Sequence, residues 1–540
     1  VLIDARTVAP GSEFACDLCV VGAGPAGIAI VDRLRESGLT IVLLESGGFD
    51  PETPTQALFR GENEGHAYYR LDTCRFRLFG GSSNRWGGWC RPLEPTDFEP
   101  RSWLAWSGWP IRSESLEPYH AETAKLFELA DASFDLASLR ERLPAPFELD
   151  GSHFESVFFR YSPETNFGEV YRARLLAAPN VTTIIHANLT QIELAPESSR
   201  VERLQIAALS RAAFSVRPRA VVVAAGGIEN ARLLLASRAD RETGLGNEYD
   251  MVGRFFMEHL HVPVGHMIAQ RGRAGRRFYR KAMYDDLRVR GVITPTAAAQ
   301  ERLQLLSTSI AIEPASYSFG TPFLDIPPAL AFGPIRLYRQ LRRSRMKGVV
   351  GTIKQNAERA SGLAARFVTW NASRAARARA GAPDGRTYSL YFRSEQAPDP
   401  ESRVMLADRR DALGIPLTRL NWRVNRVDLD AISGWLEVFD RDIRTRGLGR
   451  VIPPVDDRWQ NEIIGGPHHI GATRMSADPR HGVVDENCRV HSVDNLYVAG
   501  CSVFATGGYA NPTFTLVALA LRLADTLRDR LGKEYSIQSR

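Results

Sequence analysis

Residues 17–27, Asp-Leu-Cys-Val-Val-Gly-Ala-Gly-Pro-Ala-Gly, constrain this chain more than any other stretch. A short, largely apolar run ends in Gly22-Ala23-Gly24-Pro25-Ala26-Gly27, and a helical pattern follows to Ser37. Gly38 is a helix stop, and residues 40–44 are a second apolar strand ending at Glu45. Strand, glycine turn, helix and strand at these lengths make a βαβ unit, which requires a parallel sheet. Further buried strands are expected at 220–224, before Gly226-Gly227 and a helix to Leu235, and at 495–499, before a Gly-rich loop and a helix over 512–531.

The three spaced glycines each have a separate task. Gly22 allows the tight turn, Gly24 lets the backbone approach a pyrophosphate, and Gly27 allows close helix–strand packing. Pro25 falls where a missing N–H costs nothing, and the helix N-terminus then turns free N–H groups toward the phosphates. Glu45 lies 18 residues after Gly27 at a strand end. A carboxylate there accepts from a ribose diol and repels a 2′-phosphate, which favours FAD or NAD over NADP. A second backbone-rich turn, Phe79-Gly80-Gly81-Ser82-Ser83-Asn84-Arg85-Trp86-Gly87-Gly88, suits a ring and a diphosphate, and two such turns fit FAD better than a released nicotinamide.

Composition is that of an ordinary globular protein of 540 residues, 44% hydrophobic and 24% charged, with length for several domain-sized units. The net charge of +6 does not imply nucleic acid. Residues 331–380 hold twelve Lys or Arg and one acid, so the rest of the chain is near −5. Such a run reads first as solvated surface helices, with docking to an anionic substrate, an acidic partner or a membrane surface as the sharper readings. Six scattered cysteines argue against a disulfide framework. Cys16 and Cys19 form a CxxC, but Cys19 falls in a buried strand, unsuited to zinc or redox work. No metal site is expected. No run of 18 apolar residues exists, and residues 1–6 show no basic-then-apolar leader pattern, so a cytoplasmic location is the default expectation.

On these turns, on residues 221–235 and above all on 468–525, the chain resembles the glucose–methanol–choline (GMC) oxidoreductases over nearly its whole length. Residues 507–513 look most like pyranose oxidases and their bacterial relatives. The resemblance implies an α/β chain with an α+β insertion: a Rossmann-like FAD domain of the glutathione-reductase type plus a substrate domain on an antiparallel sheet. The expected FAD domain is discontinuous, 12–108, 175–258 and 462–532. The substrate domain takes 109–174 and 259–461, with 331–380 as a basic helical insert.

The resemblance also implies the site. Cofactor contacts are expected at Gly22, Gly24, Gly27, Glu45, Gly80, Ser82, Ser83, Asn84, Trp86, Gly87, Leu189, Gly226, Gly500, Cys501, Asn511, Pro512 and Thr513. Arg85 stands where histidyl-flavin members carry His, so FAD is expected to be noncovalent. Cys501 replaces a common Asp, and nothing near it in sequence suggests an activated thiol. His468, separated from Gly471 by two residues, is the expected general base for an alcohol whose hydride passes to flavin N5. Asn511 is expected beside it, and also reads as a helix N-cap before Pro512. His259, His261 and His469 read as structural or supporting, with His469 and Gln396 also candidates for the substrate pocket, and Glu395 beside Gln396. Arg474 and Met475 are expected to brace the His loop, and Trp86, Trp89 and Trp106 to pack in the core or wall the pocket. The expected activity is FAD-dependent oxidation of a CH–OH group of a sugar, glycoside, polyol or secondary-metabolite alcohol. Oxygen or a quinone- or dye-type acceptor would take the electrons. A redox-neutral lyase on the same fold and a non-catalytic flavin-binding partner protein are the alternatives.

Overall fold

The structure, a computed structural model, describes residues 1–163, 165–270, 277–314, 386–454 and 457–538. The basic stretch 331–380 lies outside the described residues.

The first layer is an eight-stranded sheet. Its strands run Leu2–Asp4, Val181–Ile185, Ile41–Leu44, Glu13–Val21, Ala213–Val223, Val201–Ala207 and Asn188–Leu194, with Leu496–Val498 also paired to Ala213–Val223. The strands Ile41–Leu44 and Leu496–Val498 and the second half of Glu13–Val21 are continuous buried apolar runs, as in sheets covered on both faces. Their register is parallel and aligns their ends. Val21 sits opposite Leu44 and Val223, Leu44 opposite Ile184, and Val223 opposite Val498. Gly22, Glu45, Ala224 and Ala499 therefore leave the sheet along one edge. Crevices outside the carboxyl ends of parallel strands are where such sheets bind ligands.

Three helices frame that edge: α1 (Pro25–Leu34), α2 (Gly227–Ala236) and, far along the chain, a helix over Thr513–Gln538. α1 starts with Pro25 at its first position. It lies against the C-terminal helix, where the Arg33 guanidinium meets both Asp525 oxygens at 3.0 and 3.1 Å. Val517, Leu521 and Ala524 of that helix are buried.

The second layer is a nine-stranded sheet whose every pairing is antiparallel, as expected for the insertion. Its order is Gly449–Ile452, Leu260–Ala269, Arg386–Ser394, Thr308–Pro314, Leu287–Pro295, Phe154–Tyr161 and Trp89–Cys90, with Ala282–Tyr284 also paired to Leu287–Pro295 and Ile464–Gly465 to Leu260–Ala269. The helix Arg426–Thr445, closed at its start by a reciprocal Asn425–Asp428 capping box, backs this sheet by packing Trp435 and Phe439 edge-on to Phe154. A three-stranded sheet joins Arg403–Arg410, Pro416–Trp422 and Gly61–Gly65. Strands Gly61–Gly65 and Trp89–Cys90 show that the chain leaves the first layer twice before residue 109. Among the described residues no helix is long and apolar enough to cross a membrane.

Candidate active site

A cavity of about 490 Å³ runs along the carboxyl edge of the parallel sheet and ends against the antiparallel one. This volume is in the range of small-molecule and cofactor sites.

Its floor is backbone. At Gly22, with φ of +107°, a side chain would meet the Ala224 carbonyl oxygen at 2.5 Å. At Gly27 it would meet the Gly22 carbonyl oxygen at 1.9 Å, so α1 sits directly on the turn. Gly24 differs: a β-carbon there meets nothing within 4 Å and points into open space. The second glycine turn lies alongside. The Gly80 N–H donates to the Ala23 carbonyl at 2.7 Å, and a β-carbon on Gly81 would come within 3.0 Å of the Gly24 α-carbon. The two Gly-rich turns, 57 residues apart at Gly24 and Gly81, thus form one cradle beside the free N–H groups of α1.

Glu45 lines the cavity at the end of its strand. Its carboxylate accepts from the Ala23 N–H at 2.9 Å and the Gly47 N–H at 2.7 Å, and burial raises its pKa above the usual carboxylate value. The same group that would meet a ribose therefore also fixes the turn. Ser82, Ser83, Trp86, Gly87, Leu189, Gly226, Gly500, Cys501, Pro512 and Thr513 line the cavity as well, with Arg85.

Three expected contacts are not on its wall. Gly27 is covered by the turn, Gly80 is held against Ala23 and Gly168, and the Asn84 amide donates to the Phe79 and Gly81 carbonyls. These residues shape the cradle without lining it.

Gln396 and Glu395 do not line this cavity. The Gln396 amide oxygen accepts from the Glu258 N–H and from Trp422 Nε1, while its nitrogen donates to the Arg423 carbonyl. Glu395 is fully buried in a two-pronged pair with Arg101 at 2.6 and 2.7 Å. Both hold elements together behind the cavity. Trp86 and Trp89 lie on the wall, whereas Trp106 is 40% exposed beside Phe255 and His481. Arg474, itself buried, stacks on Phe255 and donates to the Trp106 carbonyl.

The chemistry is concentrated at the far end. His468 Nε2 and Asn511 Nδ2 are 3.0 Å apart, and both residues line the cavity. The Asn511 side chain thus faces His468. The pair is reached from two separate elements: the loop after Ile464–Gly465, and the turn that opens the C-terminal helix. His468 is anchored through its backbone. Glu258 Oε2 accepts from the His468 N–H at 2.8 Å and the Gly466 N–H at 3.0 Å, while its other oxygen takes the Tyr68 hydroxyl. Burial, then His259, His261 and His469, hold the His468 pKa well below that of a free imidazole. Burial pushes Glu258 up to about 7. The Cys501 thiol donates to the His469 carbonyl at 3.2 Å, and burial raises it to about 12, so it is no activated nucleophile. His469 lines the cavity as a neutral ring, held down to about 3 by burial and by Arg75.

Glu258 and the 74–77 segment carry no sequence motif. Cys74, Arg75, Phe76 and Arg77 line the cavity, and Glu229 pairs with Arg75 at 3.0 Å, Arg77 at 2.6 Å and Arg232 at 2.9 Å. Spacing could not foretell this cluster, which joins residues more than 150 positions apart. Cys16 and Cys19 are buried free thiols. Among the described residues no cluster has the make-up of a metal site.

A sequence profile described as GMC oxidoreductase matches residues 398–520. The chain is 25% identical over 315 residues to the fructose dehydrogenase large subunit of Gluconobacter japonicus. That alignment covers 57% of this chain and 47% of the relative, about half its length. It is 24% identical over 591 residues to 2-methyl-1,2-propanediol dehydrogenase of Mycolicibacterium austroafricanum, covering 96% of each. Among solved structures, pyridoxine 4-oxidase from Mesorbium loti superposes with a TM-score of 0.52 at 16% identity, covering 95% of this chain and 99% of that one. This last likeness is one of fold.

Proposed function

The chain belongs to the GMC oxidoreductase family, and from that premise we propose that it oxidises a CH–OH group to a carbonyl, with noncovalent FAD as electron acceptor and His468 as the base. The observation that carries this reading is the His468–Asn511 pair, which closes one end of a cavity whose other wall is a double glycine cradle.

The cavity suits FAD. The open space at Gly24 and the N–H groups at the start of α1 would receive the diphosphate. Glu45 has lone pairs left for a ribose diol after its two backbone bonds. Leu189 and Gly226 would flank the adenosine, and Pro512 and Thr513 begin a helix whose positive end would face the flavin pyrimidine edge. When bound, the flavin supplies a two-electron acceptor for the carbinol hydride. Arg85, in place of a histidine in the Gly-Ser turn, supports a noncovalent attachment.

The protein's own part is positional and protonic. His468 is neutral at working pH, so its free Nε2 lone pair takes the hydroxyl proton as the carbonyl forms. Asn511 Nδ2 donates to the same lone pair before substrate enters, and is placed to donate to the alcohol oxygen afterwards.

Sugars and polyols are the substrate class this reading favours. Two relatives are named for fructose and for a propanediol. The acceptor is oxygen or a quinone- or dye-type molecule. An anaerobic panel of sugars, polyols and aliphatic alcohols tests the proposal: at least one should bleach the oxidised flavin absorbance. Substrate turnover with no bleaching would instead identify redox-neutral chemistry. Reoxidation under air then separates the acceptors by whether hydrogen peroxide accumulates. Yellow colour left in an acid-precipitated pellet would refute the noncovalent attachment.

A further inference from the structure

The antiparallel bridge between Met257 and Ile470, closed by N–H···O bonds of 2.9 and 3.0 Å, sets residue 259 directly opposite residue 468. The two imidazoles meet there, with His259 Nδ1 and His468 Nδ1 2.8 Å apart. The other nitrogen of His259, Nε2, is 3.1 Å from the Gly507 carbonyl oxygen.

A carbonyl can only accept, so His259 Nε2 carries the proton. In the neutral ring its Nδ1 is then a lone pair, and His468 Nδ1 must donate to it. That leaves His468 Nε2 as a lone pair, which is what Asn511 Nδ2 meets at 3.0 Å. One backbone carbonyl thus decides the state of four ring nitrogens in sequence. The groups facing the two rings are His261, His469, Arg393, Glu395 and the Glu258 carboxylate beneath the His468 N–H.

We propose that His259 is a positioning residue, holding His468 in the tautomer whose lone pair faces the cavity. The inference rests on the reading of His468 as the base. When His468 takes the alcohol proton on Nε2, its Nδ1–H···Nδ1 bond to neutral His259 becomes charge-assisted, which favours the protonated ring in a buried place. Without His259, the neutral ring is free to move its proton to Nε2, where it blocks acceptance. The loop that carries Gly507 also delivers Asn511, so one segment fixes both ends of the chain of bonds.

The test compares His259→Leu, which has no acceptor, with His259→Asn, whose Oδ1 falls near the position of Nδ1. The flavin-loaded protein is labelled with ¹⁵N-histidine, and the His468 ring is assigned by its loss in His468→Gln. Wild type should show Nδ1 protonated and Nε2 bare. His259→Leu should shift the proton toward Nε2 and slow anaerobic flavin reduction by roughly 10²- to 10⁴-fold, up to the scale of losing an orienting partner. His259→Asn should restore the wild-type tautomer and recover rate to within about tenfold. A wild-type tautomer and a reduction rate within twofold in His259→Leu would overturn the proposal. Should that variant fail to fold, a wild-type His468 protonated at Nε2 does so alone. If His468→Ala itself reduces at the normal rate, the base assignment fails. If His468→Ala is slow and His259→Leu is normal, only the positioning role fails.

Discussion

Gly24 and Gly27 are three residues apart, yet replacing them should break different things. At Gly24 the backbone lies at φ −82° and ψ −176°, open to any residue, and a β-carbon meets no atom within 4 Å. Gly24→Val should therefore leave the apoprotein fold intact, with stability changed by no more than about 1 kcal/mol. Its side chain would fill the space between α1 and the second glycine turn, where the diphosphate is proposed to lie. Each charge-assisted bond it blocks costs about 1.5–3 kcal/mol, or roughly 10- to 150-fold in flavin affinity. At Gly27 a β-carbon would stand 1.9 Å from the Gly22 oxygen and 3.3 Å from Val20. Even Gly27→Ala must lift α1 off the sheet, at about 3 kcal/mol or more. Flavin content from 450 nm absorbance and apoprotein melting by circular dichroism separate the two effects. Full flavin in Gly24→Val would refute the cradle, and wild-type melting in Gly27→Ala would refute the packing argument.

Other consequences can be measured directly. Glu229→Gln leaves Arg75, Arg77 and Arg232 facing one another, with Asp411 still paired to Arg232. The urea midpoint should drop by the equivalent of about 3–5 kcal/mol, and an unchanged midpoint would show the cluster is not cooperative. Glu258 has a folded pKa of about 7 against 4.5 for an unperturbed glutamate. Its native state binds the proton more tightly, so this stabilisation is complete below pH 4.5 and is lost as pH rises to 7, about 3 kcal/mol in all. The stability difference between wild type and Glu258→Gln should carry that slope; a pH-independent difference contradicts it. His468 is held below the free imidazole value, so it stays neutral as pH falls through 6.5. The rate of anaerobic flavin reduction should be flat down through that pH and fall only in more acid solution, whereas an acid limb centred at 6.5 or above would exclude the buried neutral base.

The parts of this site legible in the sequence are those where geometry restricts residue type locally. Gly22 and Gly27 have steric reasons to lack a side chain, while Gly24 opens onto the proposed diphosphate space, and each shows in the glycine spacing. Glu45 stood at a strand end whose length was readable. His468 and Asn511 came from a motif. What was hidden depends on contacts between distant segments. Nothing around His259 announces that the Met257–Ile470 bridge will set it against His468. Glu258 looks like any acid before a strand until the loop at 466–468 folds over it. Gln396 lies two residues past the strand Arg386–Ser394, and a strand boundary does not say which way the next side chain turns. Trp422 and the Glu258 N–H claimed it.

The central claim is that His468 removes the hydroxyl proton during oxidation at this cavity. Its most direct test is the rate constant for anaerobic flavin reduction in wild type and His468→Ala, mixed with the alcohol that the substrate panel identifies. The account predicts flavin content within about twofold of wild type and a reduction rate lower by roughly 10²- to 10⁴-fold in the variant. Reduction at the wild-type rate by His468→Ala would contradict it.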